Sequence, residues 1–295
     1  MAGISYLARV AAAYLSLFLL TAVWGLTFPL VQSALQSASP LVFVSLRFIL
    51  AGLLFPVLVW PRAFKMRRDL VWKGIGLGAL LAGGYAFQTL GLTHTTAARS
   101  GFLTGTLVPM TPLFSWLLFR TRIGAKPWIA VLLAFIGTAI MSQPTAGGLN
   151  TGDILTLVCA ASFALQVVLV GRWAARGYEA QLTWIQIMVT AALAGLAIPL
   201  ETPRLVVSST LIWALLITAI FATALGLWAQ LHYQPRISAT AAAIIYAFEP
   251  VFAGIAAWLL AGNQPTTATL IGAAFIFAGM LLSSTTPSES QAHVP

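Results

Sequence analysis

Apolar residues gather along the chain in ten stretches, at about 10–31, 40–60, 71–92, 99–119, 127–143, 152–172, 181–200, 209–231, 239–260 and 266–284. Polar residues are confined to the short joints between them. Each stretch reaches or approaches the roughly 20 residues a helix needs to cross about 30 Å of hydrocarbon. The fifth is the shortest. The pattern predicts an all-α integral membrane protein of ten transmembrane helices. The ninth stretch departs from it most: Glu249 sits at its centre, followed by Pro250. A carboxylate at mid-membrane costs roughly 2.5–3.5 kcal/mol on insertion scales, so Glu249 should face protein or a wet cavity. Pro250 removes a backbone donor and should bend or locally open that helix.

The fourth stretch repeats the ninth. A shift of 138 residues lays His94, Ser100, Pro112, Phe114 and Pro127 on His232, Ser238, Pro250, Phe252 and Pro265, with six identities in 34 positions. A second block, Ala51-Gly52-Leu53 with Pro56, recurs as Ala194-Gly195-Leu196 with Pro199 at a shift of 143. Two collinear blocks imply two copies of a five-helix unit, residues 1–147 and 148–284, followed by a disordered tail at 285–295. An odd number of spans turns the second copy upside down, and a solute site is then expected near the midplane between the halves.

Charge orients the helices. With the N-terminus in the cytoplasm, 12 of the 15 basic residues fall inside, Arg99 and Arg204 fall outside, and Arg47 lies within the second span. That bias predicts an N-in, C-in arrangement, and it accounts for the net charge of +9 without nucleic acid. Composition agrees: 60% of residues are apolar, 7% are charged and mean hydropathy is +0.94. Trp60, Trp72, Trp128 and Trp213 near span ends read as interfacial anchors.

Several chemistries find no support. Cys159 is the only cysteine, so neither a disulfide framework nor a cysteine-rich metal site is expected. His94 and His232 would lie on opposite membrane faces. No GxxxxGK[ST], HExxH or GxSxG motif occurs, which speaks against direct nucleotide drive and against an intramembrane enzyme.

The chain resembles the drug/metabolite transporter superfamily in its ten-helix EamA-type branch. The residues that carry the resemblance are Trp24-Gly25 with Phe28, Arg47 within VSLRFILAGLL, Thr95-Thr96-Ala97-Ala98 leading to Pro109 and Pro112, Ser238 leading to Glu249-Pro250, and Gly137 and Gly279. It covers residues 10–284. It implies a monomeric carrier of the bacterial inner membrane, without a cofactor. The central cavity would be lined by helices 1, 3 and 4 and by 6, 8 and 9, with helices 5 and 10 at the periphery. Within the branch the chain looks most like bacterial amino-acid exporters, the aromatic amino-acid exporters of the YddG type foremost. A carrier of lipophilic cations paired with Glu249 is the alternative.

Candidate site residues follow. Helical spacing sets Ala242, Tyr246 and Glu249 on one face and, through the repeat, Thr104, Val108 and Thr111 on its counterpart. Glu249 either meets a substrate ammonium or exchanges a proton, or else locks helices together as a neutral or paired carboxyl. Trp24 and Phe28 in span one, Tyr85 and Gln88 in span three, Phe163 and Gln166 in span six and Trp228 in span eight would give an apolar lining with a few polar groups. Pro29, Pro109, Pro112 and Pro250 are the expected bending or gating points. Arg47 either binds a carboxylate or bonds to backbone carbonyls and snorkels outward. Because the resemblance leaves helix 2 off the cavity, a structural role is expected for it.

Overall fold

The computed structural model describes residues 2–59, 66–91, 93–95, 97–142, 149–261 and 264–285. The expected boundary at 147/148, Trp60 and the tail beyond Thr285 lie outside the described residues. Among the described residues ten helical passages are long and apolar enough to cross a membrane. α1 (Ala2–Ala34), α2 (Pro40–Val59) and α3 (Val71–Gly91) make the first three. The fourth is shared by α4 (Ala97–Gly105) and α5 (Leu107–Phe119), and α6 (Ala125–Ser142) is the fifth. α7 (Thr151–Trp173) and α8 (Glu179–Ala197) follow. The eighth passage runs from α9 (Ser209–Ile217) through a π-helical segment, Thr218–Leu225, into α10 (Gly226–Tyr233). α11 (Ala239–Tyr246) and α12 (Glu249–Ala261) form the ninth, and α13 (Thr267–Ser284) the tenth. Leu53, Val57, Leu117 and Leu259 face out of the bundle, as lipid contact requires.

Two passages are broken, and proline explains both breaks. Pro109 has no N–H to offer the carbonyl of Gly105, four residues back, and α4 ends at Gly105. Thr106 then turns the chain with a tighter bond from its N–H to Leu103 O, 3.1 Å. In the ninth passage Pro250 denies a donor to Tyr246 O, and α11 ends at Tyr246. Phe248 N–H bonds to Ile245 O, 3.0 Å, before α12 begins at Glu249. Pro112 and Pro29 lie inside α5 and α1, which continue past them.

The two halves interlock. α3 lies along both α7 and α8, α2 along α8, and α1 along α12. α6 and α13, the fifth and tenth passages, pack against each other. At their crossing a Cβ on Gly137 would stand 2.5 Å from Gly272 O, and one on Gly272 would stand 2.5 Å from Gly137 O. The reciprocal contact brings two helix backbones together through small residues.

At the end of the bundle where α1 turns into α2, Glu201 reaches across from the second half. Its Oε1 accepts from Ser39 Oγ (2.6 Å), Leu41 N–H (3.0 Å) and Val42 N–H (3.2 Å), which caps α2. Arg204 Nη2 donates to Leu35 O at 2.9 Å, and Val206 N–H to Ser37 O at 2.7 Å. At the same end Asp153 pairs with Arg99 at 2.7 Å and accepts from Thr95 Oγ1 at 3.0 Å, joining α4 to α7. Glu201→Ala is expected to cost about 1–2 kcal/mol, the worth of a helix cap. Glu201→Gln, which keeps an acceptor oxygen, should cost less. Thermal unfolding in detergent measures both, and an unchanged melt for Glu201→Ala would assign the clasp to Arg204 and the backbone alone.

Candidate functional site

The two breaks border a cavity of about 310 Å³, a volume within the range of small-molecule sites. α1 supplies Trp24, Thr27 and Gln32 to its wall, α3 supplies Tyr85 and Gln88, and α4 supplies Thr104. From the second half come Phe163 and Gln166 on α7, Gln230 on α10, Tyr246 on α11 and Glu249 on α12. α2 contributes Arg47. The lining runs from Glu249 toward Leu35 and Phe43, beside the α1–α2 turn.

Aromatic contacts shape the walls. Trp24 and Tyr246 meet at 5.3 Å between ring centroids, and Tyr85 meets Phe163 edge-on at 5.4 Å. Gly84 makes room for that pair, because a Cβ there would run into the Phe163 ring. Trp24 is itself fixed: its indole N–H donates to Ala222 O, 2.9 Å, inside the π-helical segment. That segment also carries Thr223, whose Oγ1 accepts from Arg47 Nε at 2.7 Å. A widened helical turn leaves room for such outside donors.

Toward the other end the cavity is closed by a cluster of amides. Gln166 and Gln230 exchange hydrogen bonds of 3.3 and 3.1 Å, and Gln230 donates to Gln234 Oε1 at 3.1 Å. Tyr246 O–H donates to the same oxygen at 3.2 Å, and Gln234 Nε2 donates to Val167 O at 2.6 Å. These groups are buried, so their mutual satisfaction is what makes burying them tolerable. Gln166 thus belongs both to the cavity wall and to its floor.

Among the described residues Arg47 and Glu249 are the two charged side chains in the lining. No carboxylate of a described residue lies within 4.0 Å of Arg47, so the two are not an ion pair. The guanidinium lies 5.0 Å from the Tyr85 ring centroid and 5.7 Å from that of Phe48. Glu249 begins α12, where the helix dipole favours a negative charge.

Of the sequence-derived candidates, Trp24, Tyr85, Gln88, Thr104, Phe163, Gln166, Tyr246 and Glu249 are brought together in the wall. Two are not. Thr111 is fully buried, and its hydroxyl is turned back on Leu107 O at 2.8 Å. Trp228 stacks on His232, 5.3 Å between centroids, outside the lining. His232 in turn meets Glu179 at 3.4 Å and Arg236 at 2.6 Å. The Phe28 side chain lies outside the described residues. Ala242 and Val108 are also packed into the core away from the cavity. The break at Thr106 resets the helical phase between Thr104 and Val108, and Ala242, one turn before Tyr246 on α11, is fully buried. Arg47 lies in the wall although the resemblance leaves helix 2 off the cavity: α2 packs against α8 and the π-helical segment and carries the guanidinium there. Sequence reasoning missed Gln230, whose signal was an amide inside an apolar span.

The chain is similar to other proteins in sequence and in fold. An uncharacterized transporter of Archaeoglobus fulgidus is 33% identical over 270 residues, covering 92% of this chain and 85% of its own. The uncharacterized transporter YwfM of Bacillus subtilis is 26% identical over 292 residues, covering 94% and 95%. A crystal structure at 21% identity superimposes with a TM-score of 0.78 over 92% of this chain and 96% of its own, which is likeness of fold. The sequence profile of the EamA-like transporter family matches twice, at residues 11–143 and 150–285. With ten membrane-crossing passages around one central cavity and that double match, the chain belongs to the EamA-like transporter family.

Proposed function

We propose that the protein is a secondary carrier that exports amino acids with aromatic or neutral side chains. It would act as a monomer in a bacterial inner membrane by alternating access around the central cavity. The observation that carries this reading is a cavity walled by Trp24, Tyr85, Phe163 and Tyr246 and floored by amides, built from helices of both halves. Flat apolar side chains fit between such rings, and the amides offer hydrogen bonds to a polar head. The basic residues support an N-in arrangement, which sets the α1–α2 turn and the Glu201 clasp on the outer face and the amide floor on the inner side. Inward access then requires the Gln166–Gln230–Gln234–Tyr246 cluster to part, while the clasped end closes over Gln32 and Leu35.

Uptake of labelled phenylalanine and tryptophan into proteoliposomes, with and without a pH gradient, tests the reading. Saturable uptake is expected. Folded protein that carries neither would sink it. A lipophilic cation is the second reading, favoured by Glu249 lying among Trp24, Tyr85 and Tyr246. Uptake of tetraphenylphosphonium in place of the amino acids would establish it.

A further inference from the structure

We propose that the cavity is a two-pole site for a zwitterion, with Arg47 taking the substrate carboxylate and Glu249, beside the Tyr246 carbonyl, taking its ammonium. The assignment rests on the amino-acid reading above and adds to it the polarity of binding and the residue that selects for the carboxylate.

One cation and one anion share the wall and are not paired with each other. A solute with one charge answers one of them and leaves the other desolvated, whereas a zwitterion answers both. A locking pair would have closed into contact, since removing two separated charges from water gains nothing unless they meet.

Arg47 is held in a receiving posture. Its hydrogen bond within the chain, among the described residues, runs from Nε to Thr223 Oγ1 at 2.7 Å. That bond fixes the plane of the guanidinium, whose terminal edge beside the Tyr85 side chain is set to take a carboxylate. The Tyr85 ring at 5.0 Å supports the group from the side. Only 6% of the residue is exposed, so it does not snorkel to a membrane surface.

The opposite pole lies at the break in the ninth passage. Glu249 opens α12, and Pro250 leaves the Tyr246 carbonyl at the end of α11 without its helical donor. An ammonium group needs several oxygen acceptors, and a carboxylate together with a helix C-terminal carbonyl meets that need. The aromatic walls between the poles then hold the side chain.

The test is competition against labelled phenylalanine uptake by the full chain in proteoliposomes. The competitors are phenylalanine, phenethylamine, which keeps only the ammonium, and 3-phenylpropionate, which keeps only the carboxylate. For the wild type, phenylalanine should compete at least about 10-fold better than either, as losing a charge-assisted hydrogen bond predicts. Arg47→Gln should raise the half-saturation concentration for phenylalanine roughly 10- to 100-fold and leave inhibition by phenethylamine unchanged. Arg47→Lys should recover part of the loss. Thr223→Val keeps the charge but frees its plane, and should weaken phenylalanine while sparing phenethylamine; it carries the test if Arg47→Gln does not fold. Equal weakening of all three ligands by Arg47→Gln, Arg47→Lys and Thr223→Val would overturn the two-pole site and leave amino-acid transport standing. A wild type that carries phenethylamine but not phenylalanine would overturn the amino-acid reading, and the two-pole site with it.

Discussion

Replacing Glu249 by glutamine is expected to slow amino-acid uptake about 100-fold, the upper range for losing a hydrogen bond to a charged group, without lowering stability. Glutamine has nearly the same shape, so the break at Ala247–Phe248 and the packing of α12 on α1 are preserved. No hydrogen bond or ion pair from the Glu249 carboxylate to another described residue occurs, so removing its charge severs no structural link. Taking a charge out of the membrane interior should leave the melting temperature unchanged or raise it. A structural carboxyl would show the reverse, a lowered melt with uptake falling only as far as folded protein is lost. The pH profile separates the two further. Wherever uptake by the wild type falls with acid through protonation of Glu249, the Gln variant should lose that limb and become flat. A variant that keeps both full uptake and the acid limb would remove Glu249 from the transport cycle.

The distribution of what was legible in the sequence follows from the range of the forces involved. Span existence depends on local apolar length, and all ten spans are present with ends within a few residues of the hydropathy reading, except α1, which begins at Ala2. Pro250 announced its break because a missing N–H acts four residues away. The repeat pointed to Pro112 as its partner, yet the fourth passage opens behind Pro109, one turn earlier. The repeat registers residue types; the break depends on which carbonyl is orphaned. The π-helical segment was invisible because nothing within it demands that geometry. Its outside partners are Trp24, 198 residues away from Ala222, and Arg47, 176 residues away from Thr223. The same long-range contacts draw Arg47 into the cavity wall, and no periodicity within α2 could have revealed them. Thr111 is off the lining because it lies beyond the break at Thr106 and is fully buried, which spacing within an unbroken helix does not encode.

Gly25→Val is expected to abolish uptake and to destabilise the fold by about 3 kcal/mol, the upper range for overpacking a tight contact. A Cβ at Gly25 would lie 2.5 Å from Glu249 O, 2.5 Å from Phe252 Cβ and 3.0 Å from Ala253 N. Two of those three atoms are backbone, and Cβ is fixed to its own, so no rotamer change relieves the clash. α12 has to move away from α1, and Glu249 moves with it. On the neighbouring position Trp24 ties α1 to the π-helical segment through Ala222. α1 is therefore held between the two elements that present Glu249 and Arg47, and a shift of either changes the distance between the two charges. Gly101→Ala is the control. It changes another helical glycine, but nothing lies within 4 Å of the added Cβ. The replacement should therefore be neutral or stabilise by up to about 1 kcal/mol through helix propensity. Gly25→Ala, the smallest step, separates fold from cycle. A lowered melt with proportionate loss of uptake would make the α1–α12 contact a matter of packing. An unchanged melt with uptake lost would place that contact among the parts whose exact spacing the carrier needs as it changes state, and unchanged values for both would show that α12 can yield without disturbing Glu249.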